Sequence, residues 1–201
     1  MNTIENKGTI QLGSKVVVSD PCYCLNSWCQ GVIDNVLPGV YNCKVEYKDT
    51  GDWGVRVAAI EVIHQNYEYT PDHCESFEVG VDSGTAGIYD YDYYAKYHSE
   101  DNIDATWYNK TFDCAHTVTK NPNYVEFDWD NTDDFFERFK AYERNKKISM
   151  QYFNHCDANT LDGVSFISSS GYGDGSYSCY TASVDGKVVV IRVVFIEEDE
   201  E

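Results

Sequence analysis

Three short segments carry residue types that could do chemistry: Ser19-Asp20-Pro21-Cys22-Tyr23, Asp82-Ser83-Gly84 with Asp90 beyond it, and Tyr172-Gly173-Asp174-Gly175-Ser176-Tyr177. Brought together, Asp20, Asp82, Asp90 and Asp174 would fix polar groups, Ser83 and Ser176 would donate hydrogen bonds, and Tyr23, Trp53 and Tyr172 would wall a site. Clustered carboxylates also serve as a general acid and base, or hold a divalent cation against a phosphoryl group. Aromatic faces beside a few fixed polar groups suit a nucleobase or a sugar. The same residues also suit plain turns, because Asp and Ser bond to nearby backbone and Gly accepts positive φ. Convergence separates the two uses: strand ends that meet at one edge gather their loops into a site.

Stronger signatures are missing. There is no HExxH, no GxSxG and no Walker loop, so no catalytic residue is assigned. Asp128-x-Asp130-x-Thr132 begins like a calcium loop, but Asp133 stands where Gly is needed and Phe139 where Glu is needed. The histidines at 64, 73, 98, 116 and 155 fall at strand ends or in polar loops and read as ordinary residues.

Eight cysteines stand at 22, 24, 29, 43, 74, 114, 156 and 179. Cys22-x-Cys24-x4-Cys29 with Cys43 beyond lacks the second knuckle of a structural zinc site. His73-Cys74 and His155-Cys156 are direct neighbours, which point to opposite faces of a strand. Free thiols and no metal are the expectation, and the residues name no cofactor.

The elements that must position these segments are mostly strands. Residues 15–20 (KVVVSD) form a short apolar run stopped by Pro21, and the stretch to Gly31 reads as loop. Pro38-Gly39 fits a type II turn. Beyond it Tyr41, Cys43, Val45 and Tyr47 alternate with polar residues, and residues 55–64 (VRVAAIEVIH) return as the second arm of a hairpin. Residues 76–82 alternate again, and AGIYD follows. From Asp90 to about 130 the chain crowds tyrosines and tryptophans among Asp, Asn and His, and reads as an irregular, partly helical insertion. Thr132, Asp133 and Asp134 cap an amphipathic helix over 133–145, with aromatics at 135, 136, 139 and 142. The end returns to β, with Asp185-Gly186 as a hairpin turn between two strands. The expected fold is α+β and mostly β: an antiparallel sandwich or open barrel with one amphipathic helix and an aromatic-rich insertion at about 91–160. The expected domain spans 1–196, with an acidic tail at 197–201.

Taken in order, VVVSDPCY, VLPGVYNCKVEY, WGVRVAAIEVIH, FEVGVDSGTAGIYD, SSSGYGDGSY and VDGKVVVIRVVF resemble a bacterial and phage family known as domain of unknown function 4241. The resemblance covers about 14–90 and 163–196, and its most specific pieces are Val81-Asp82-Ser83-Gly84 with Asp90, and Gly173-Asp174-Gly175-Ser176. It implies a mostly-β fold and a small soluble protein, often encoded by a phage or mobile element. It implies no activity.

Composition bounds the partners. The 201 residues hold 34 acidic and 15 basic side chains, a formal charge of −19. Few Lys and Arg are left to displace counterions, so direct binding to a nucleic-acid backbone and to an anionic membrane is not expected. No apolar run reaches the ~20 residues of a membrane helix and no signal peptide opens the chain, which points to a cytoplasmic protein. The functional expectation is a non-catalytic binding or accessory module that holds a small polar ligand or a protein partner at its strand-end loops. One alternative is a divalent-metal-dependent phosphoester hydrolase using the same aspartates. Another is an acidic inhibitor that mimics nucleic acid.

Overall fold

Successive side chains of a strand point to opposite faces, so each strand offers one face to a shared core. The computed structural model describes residues 2–68, 74–99, 101–120 and 152–197. The chain divides into two compact units, Met1–His116 with Cys156–Glu201, and Thr117–His155.

In the larger unit, six antiparallel strands form one sheet in the order β1 (Thr3–Leu12), β4 (Gly39–Asp49), β5 (Val55–His64), β13 (Lys187–Val194), β12 (Gly175–Val184) and β6 (Cys74–Val81). Five form a second in the order β10 (Ala158–Leu161), β11 (Ser165–Ser169), β7 (Thr85–Asp90), β2 (Val16–Ser19) and β3 (Gly31–Ile33). Neither sheet closes on itself, so the architecture is a sandwich and not a barrel. Val16, Val18, Ile88 and Phe166 of the five-stranded sheet share one core with Val45, Ile60, Val79, Val81 and Ile191 of the six-stranded sheet. The smaller unit contributes β8 (His116–Lys120) and β9 (Tyr152–Cys156), which pair as a two-stranded ribbon. The helix expected over 133–145 and the acidic stretch at 128–134 lie outside the described residues.

The aromatic insertion begins with two helices, α1 (Tyr91–Tyr97) and α2 (Ala105–Ala115). Asp90 caps α1 by accepting the N–H groups of Asp92 and Tyr93, and Asp104 caps α2 by accepting that of Trp107. Tyr94, Trp107 and Ala115 pack on Val17, Tyr89 and Ile167, the far face of the five-stranded sheet. Its central strands are therefore covered on both faces, which is why VVVS and SFISS are buried throughout instead of alternating. Burying Trp107 together with Tyr89 and Tyr94 removes enough apolar surface to hold short helices that would not form alone.

Two local expectations resolve differently. Asp185 (φ 50°) and Gly186 (φ 74°) both take positive φ and close the β12–β13 hairpin as a type I′ turn requires. Pro38-Gly39 is not a turn. Leu37 already bonds to the Val188 carbonyl and Gly39 pairs with Leu12, so the chain enters β4 extended.

Candidate functional site

Asp20 follows β2 and is fully buried. A buried carboxylate must find donors, and this one finds four. Oδ1 accepts the Cys22 N–H (2.7 Å) and the Ser83 hydroxyl (2.7 Å), while Oδ2 accepts the N–H groups of Asp82 (2.8 Å) and Ser83 (2.7 Å). Asp20 thereby ties the turn after β2 to the turn after β6. Gly84 brings the third segment in. Its carbonyl accepts the Ser170 N–H at 3.0 Å, and a Cβ on it would lie 3.8 Å from the Gly173 Cα. The Tyr177 hydroxyl donates to the Gly173 carbonyl at 2.7 Å and closes that last turn.

The insertion shapes the loop between β2 and β3. The Tyr94 hydroxyl donates to the Tyr23 carbonyl at 2.7 Å and accepts from the Gln30 amide at 2.9 Å. His98 stacks on Tyr94 with ring centroids 3.7 Å apart, and its Nε2 faces the Pro21 carbonyl at 3.1 Å. Ser27 donates to the Cys24 carbonyl, and its N–H meets the Gln30 side chain. The far end of the loop lies along β6, where the Gly80 N–H donates to the Cys29 carbonyl at 3.0 Å. This contact covers a sheet edge that would otherwise offer free donors.

Between the loop and the sheet lies a cleft of about 450 Å³. Tyr23, Trp28 and Cys29 line it from the loop, and Glu78, Asp82 and Ser176 from the strands. Its floor follows from strand period. Glu78 and Gly80 share one face of β6, Asp82 follows just beyond the strand's end, and Gly80 pairs with Ser176 of β12. Val79 and Val81 face the core from the other side. Glycine at 80 leaves the space open between two carboxylates. A Cβ there would come within 3.0 Å of the Cys29 Cβ and 3.5 Å of the Tyr23 hydroxyl oxygen. The Tyr23 phenol is pushed up in pKa by burial, by the Asp82 carboxylate and by Cys29, so it stays protonated and serves as a donor. Trp28 is 96 % exposed at the rim.

The nine expected site residues fall into five places. Tyr23, Asp82 and Ser176 line the cleft, and Asp20 and Ser83 form the clamp that fixes its rim. Asp174 stands exposed in the turn just before β12, near the Tyr177 phenol, whose pKa burial raises and which Asp174 raises further. Trp53 and Tyr172 meet each other edge to face, with centroids 6.2 Å apart, and do not line the cleft. Asp90 sits at the opposite end of β7 from Thr85 and the 82–84 turn. It accepts the Gly13 N–H at 2.8 Å and caps α1. Trp28, Cys29 and Glu78 join the lining although they are absent from the expected set. The signal that could have found Glu78 is the alternation over 76–82, in which it shares the parity of Asp82 across Gly80.

The model of a family described as a protein of unknown function (DUF4241) matches residues 12–194. The chain belongs to the DUF4241 family. The match runs through the 91–160 stretch as well as the flanking strands. No curated protein and no solved structure matches this DUF4241 chain. Among the described residues no group of three or more His, Cys, Asp and Glu is placed to hold a metal ion, and no helix is long and apolar enough to cross a membrane. The seven cysteines whose side chains are described are free thiols. A hydrolase built on Asp20 would have to draw both carboxylate oxygens away from four donors already in place.

Proposed function

We propose that this DUF4241 protein is a non-catalytic binding module that holds a small polar ligand in the cleft between the 20–30 loop and strands β6 and β12. The observation that carries this reading is the meeting of the three segments. The turns after β2 and β6 and the turn before β12 are bonded to one another through Asp20 and Gly84, and they open onto a space of about 450 Å³. That volume is in the ~300–1,000 Å³ range of small-molecule sites. The lining mixes two rings, two carboxylates, hydroxyls and a thiol, which suits orientation of a polar molecule. Asp20 and Ser83 act as positioning residues, because their polar atoms are spent on the turn itself.

The test uses protein labelled with 5-fluorotryptophan, with the Trp28 resonance assigned from Trp28→Phe. A library of polar small molecules is screened by fluorine NMR. Ligands are expected to shift Trp28 and leave the buried Trp107 unmoved. A library that moves no Trp28 signal, or moves both residues alike, overturns the reading.

A further inference from the structure

We infer that the cleft selects an organic cation, and specifically a guanidinium group. The inference rests on the ligand-binding reading above and names the class of ligand. Three observations point the same way. First, Glu78 and Asp82 both line the cleft, and no Lys or Arg does so among the described residues. A ligand entering there meets two negative charges with no protein cation to balance them, inside a chain of formal charge −19 that draws cations toward it.

Second, the rings are placed as a wall and not as core. Trp28 is 96 % exposed, while Trp107 of the same chain is fully buried. An indole left in water at the rim of an acidic cleft offers its negative face to a cation, and guanidinium stacks on such a face better than a compact ammonium does. Third, the hydrogen-bonding groups fit a planar donor. Glu78 and Asp82 only accept, and the Ser176 hydroxyl has lone pairs to offer. A guanidinium carries five N–H donors in its plane for these acceptors, while the one phenol donor of the lining, Tyr23, is engaged by Asp82.

Gly80 makes the arrangement possible. Standing between Glu78 and Asp82 in the chain and lining the cleft with both, it leaves room for a flat group near the two carboxylates, where any Cβ would crowd Cys29. The guanidinium can be free or carried on a peptide side chain.

The probes are Nα-acetyl-arginine amide and its neutral isostere Nα-acetyl-citrulline amide, with agmatine as the free guanidinium. Binding is read by calorimetry and by the Trp28 fluorine signal. The arginine compound is expected to bind about tenfold or more tightly than the citrulline compound, as losing one charge-assisted contact implies. Glu78→Gln should remove most of that preference. Asp82→Asn serves as a second variant, checked for an unchanged fold by near-ultraviolet circular dichroism. Agmatine binding as tightly as the peptide analogue assigns a free ligand, and a clear preference for the peptide analogue assigns a protein side chain. Equal or tighter binding of citrulline, or a preference that survives Glu78→Gln, overturns the cation inference and leaves the ligand-binding reading standing. If neither compound nor the neutral library moves Trp28, both fall.

Discussion

Ser83 donates to Asp20 twice, from its N–H to Oδ2 and from its hydroxyl to Oδ1, each at 2.7 Å. Two bonds from one residue fix both the position and the rotation of the turn after β6, and that turn carries Asp82 into the cleft. An aspartate that looks in sequence like a ligand-binding acid is thus the fastener behind the acid that lines the cleft.

Asp20→Asn keeps the shape of the side chain but turns one acceptor oxygen into an NH2 donor that faces backbone donors. The expected loss of stability is about 2–3 kcal/mol, in the range for a buried hydrogen bond to a charged group left unmade. Ser83→Ala removes only the hydroxyl bond and should cost about 1 kcal/mol. Urea denaturation of the two variants checks the order. Equal losses would mean that the Ser83 hydroxyl bond carries the whole contribution and the backbone N–H bonds to the carboxylate add nothing measurable.

His98 gives the fold a pH dependence whose sign follows from its burial. Burial lowers its pKa from the ordinary 6.5, and the carbonyls of Pro21 and Tyr94, which face its two ring nitrogens, only partly oppose this. A neutral imidazole has one N–H and serves one of these carbonyls. Because the folded pKa lies below the unfolded one, the unfolded chain takes the proton first. Stability is then level above about pH 6.5 and falls as the pH drops below it. The difference in stability between wild type and His98→Phe should carry that slope, and the His98 ring resonances should titrate below 6.5. A midpoint at or above that value contradicts the prediction.

Asp157 acts in the acid range. Burial works to raise its pKa, but the Ala158 N–H, Lys7 and Tyr47 hold it down to about 2 against an ordinary 3.8. Lys7 and the Tyr47 hydroxyl both reach Oδ1, at 3.1 and 2.9 Å. This is the depressed-carboxylate case: its contribution is complete above about pH 4 and is lost as the pH falls toward 2. Asp157→Asn should lower stability at neutral pH by about 1 kcal/mol, a value reduced for partial exposure of the carboxylate. The gap between variant and wild type should close as the pH falls from 4 to 2 in thermal melts. A gap that stays constant across that range would mean the carboxylate charge is not what the cluster uses.

How much of this was legible depended on whether local pattern and tertiary burial agreed. The hairpin at Asp185-Gly186 was readable from its turn chemistry and the strand around Tyr41 from its period of 2, because each agrees with the burial the fold gives it. Strand β1 was not. Its TIENKGT portion is mostly exposed, so no alternation marks it, and Gly8 falls at a shift in its register with β4. Strand β3 is only three residues long. Helix α1 was hidden by composition, since its seven residues hold four tyrosines and fold as a helix because Asp90 caps them and Tyr94 packs on Tyr89. At the site, the sequence marked the three turns without deciding whether they meet, and Asp90, grouped with them, lies at the far end of β7 as a helix cap, a role that looks in sequence like that of a ligand-binding acid. Trp28 and Cys29 could not be placed from a loop with no period.

The loop that carries Trp28 is held against β6 by two glycines, and substituting each tests a different part of that contact. At Gly31 a Cβ would fall 2.0 Å from the Phe77 ring, an overlap that only a shift of the ring or the strand can relieve. Gly31→Ala should therefore cost about 1–3 kcal/mol, the usual range for an overpacked position. At Gly80 the Cβ would meet the Cys29 Cβ at 3.0 Å, so the loop has to give by only a few tenths of an ångström. Gly80→Ala should cost less, about 1 kcal/mol or below, while its methyl group occupies the floor of the cleft. The expected result is a near-native urea midpoint for Gly80→Ala with binding of the arginine probe weakened about tenfold, and a lowered midpoint for Gly31→Ala. Undiminished binding to a folded Gly80→Ala protein would place the ligand somewhere other than between Glu78 and Asp82.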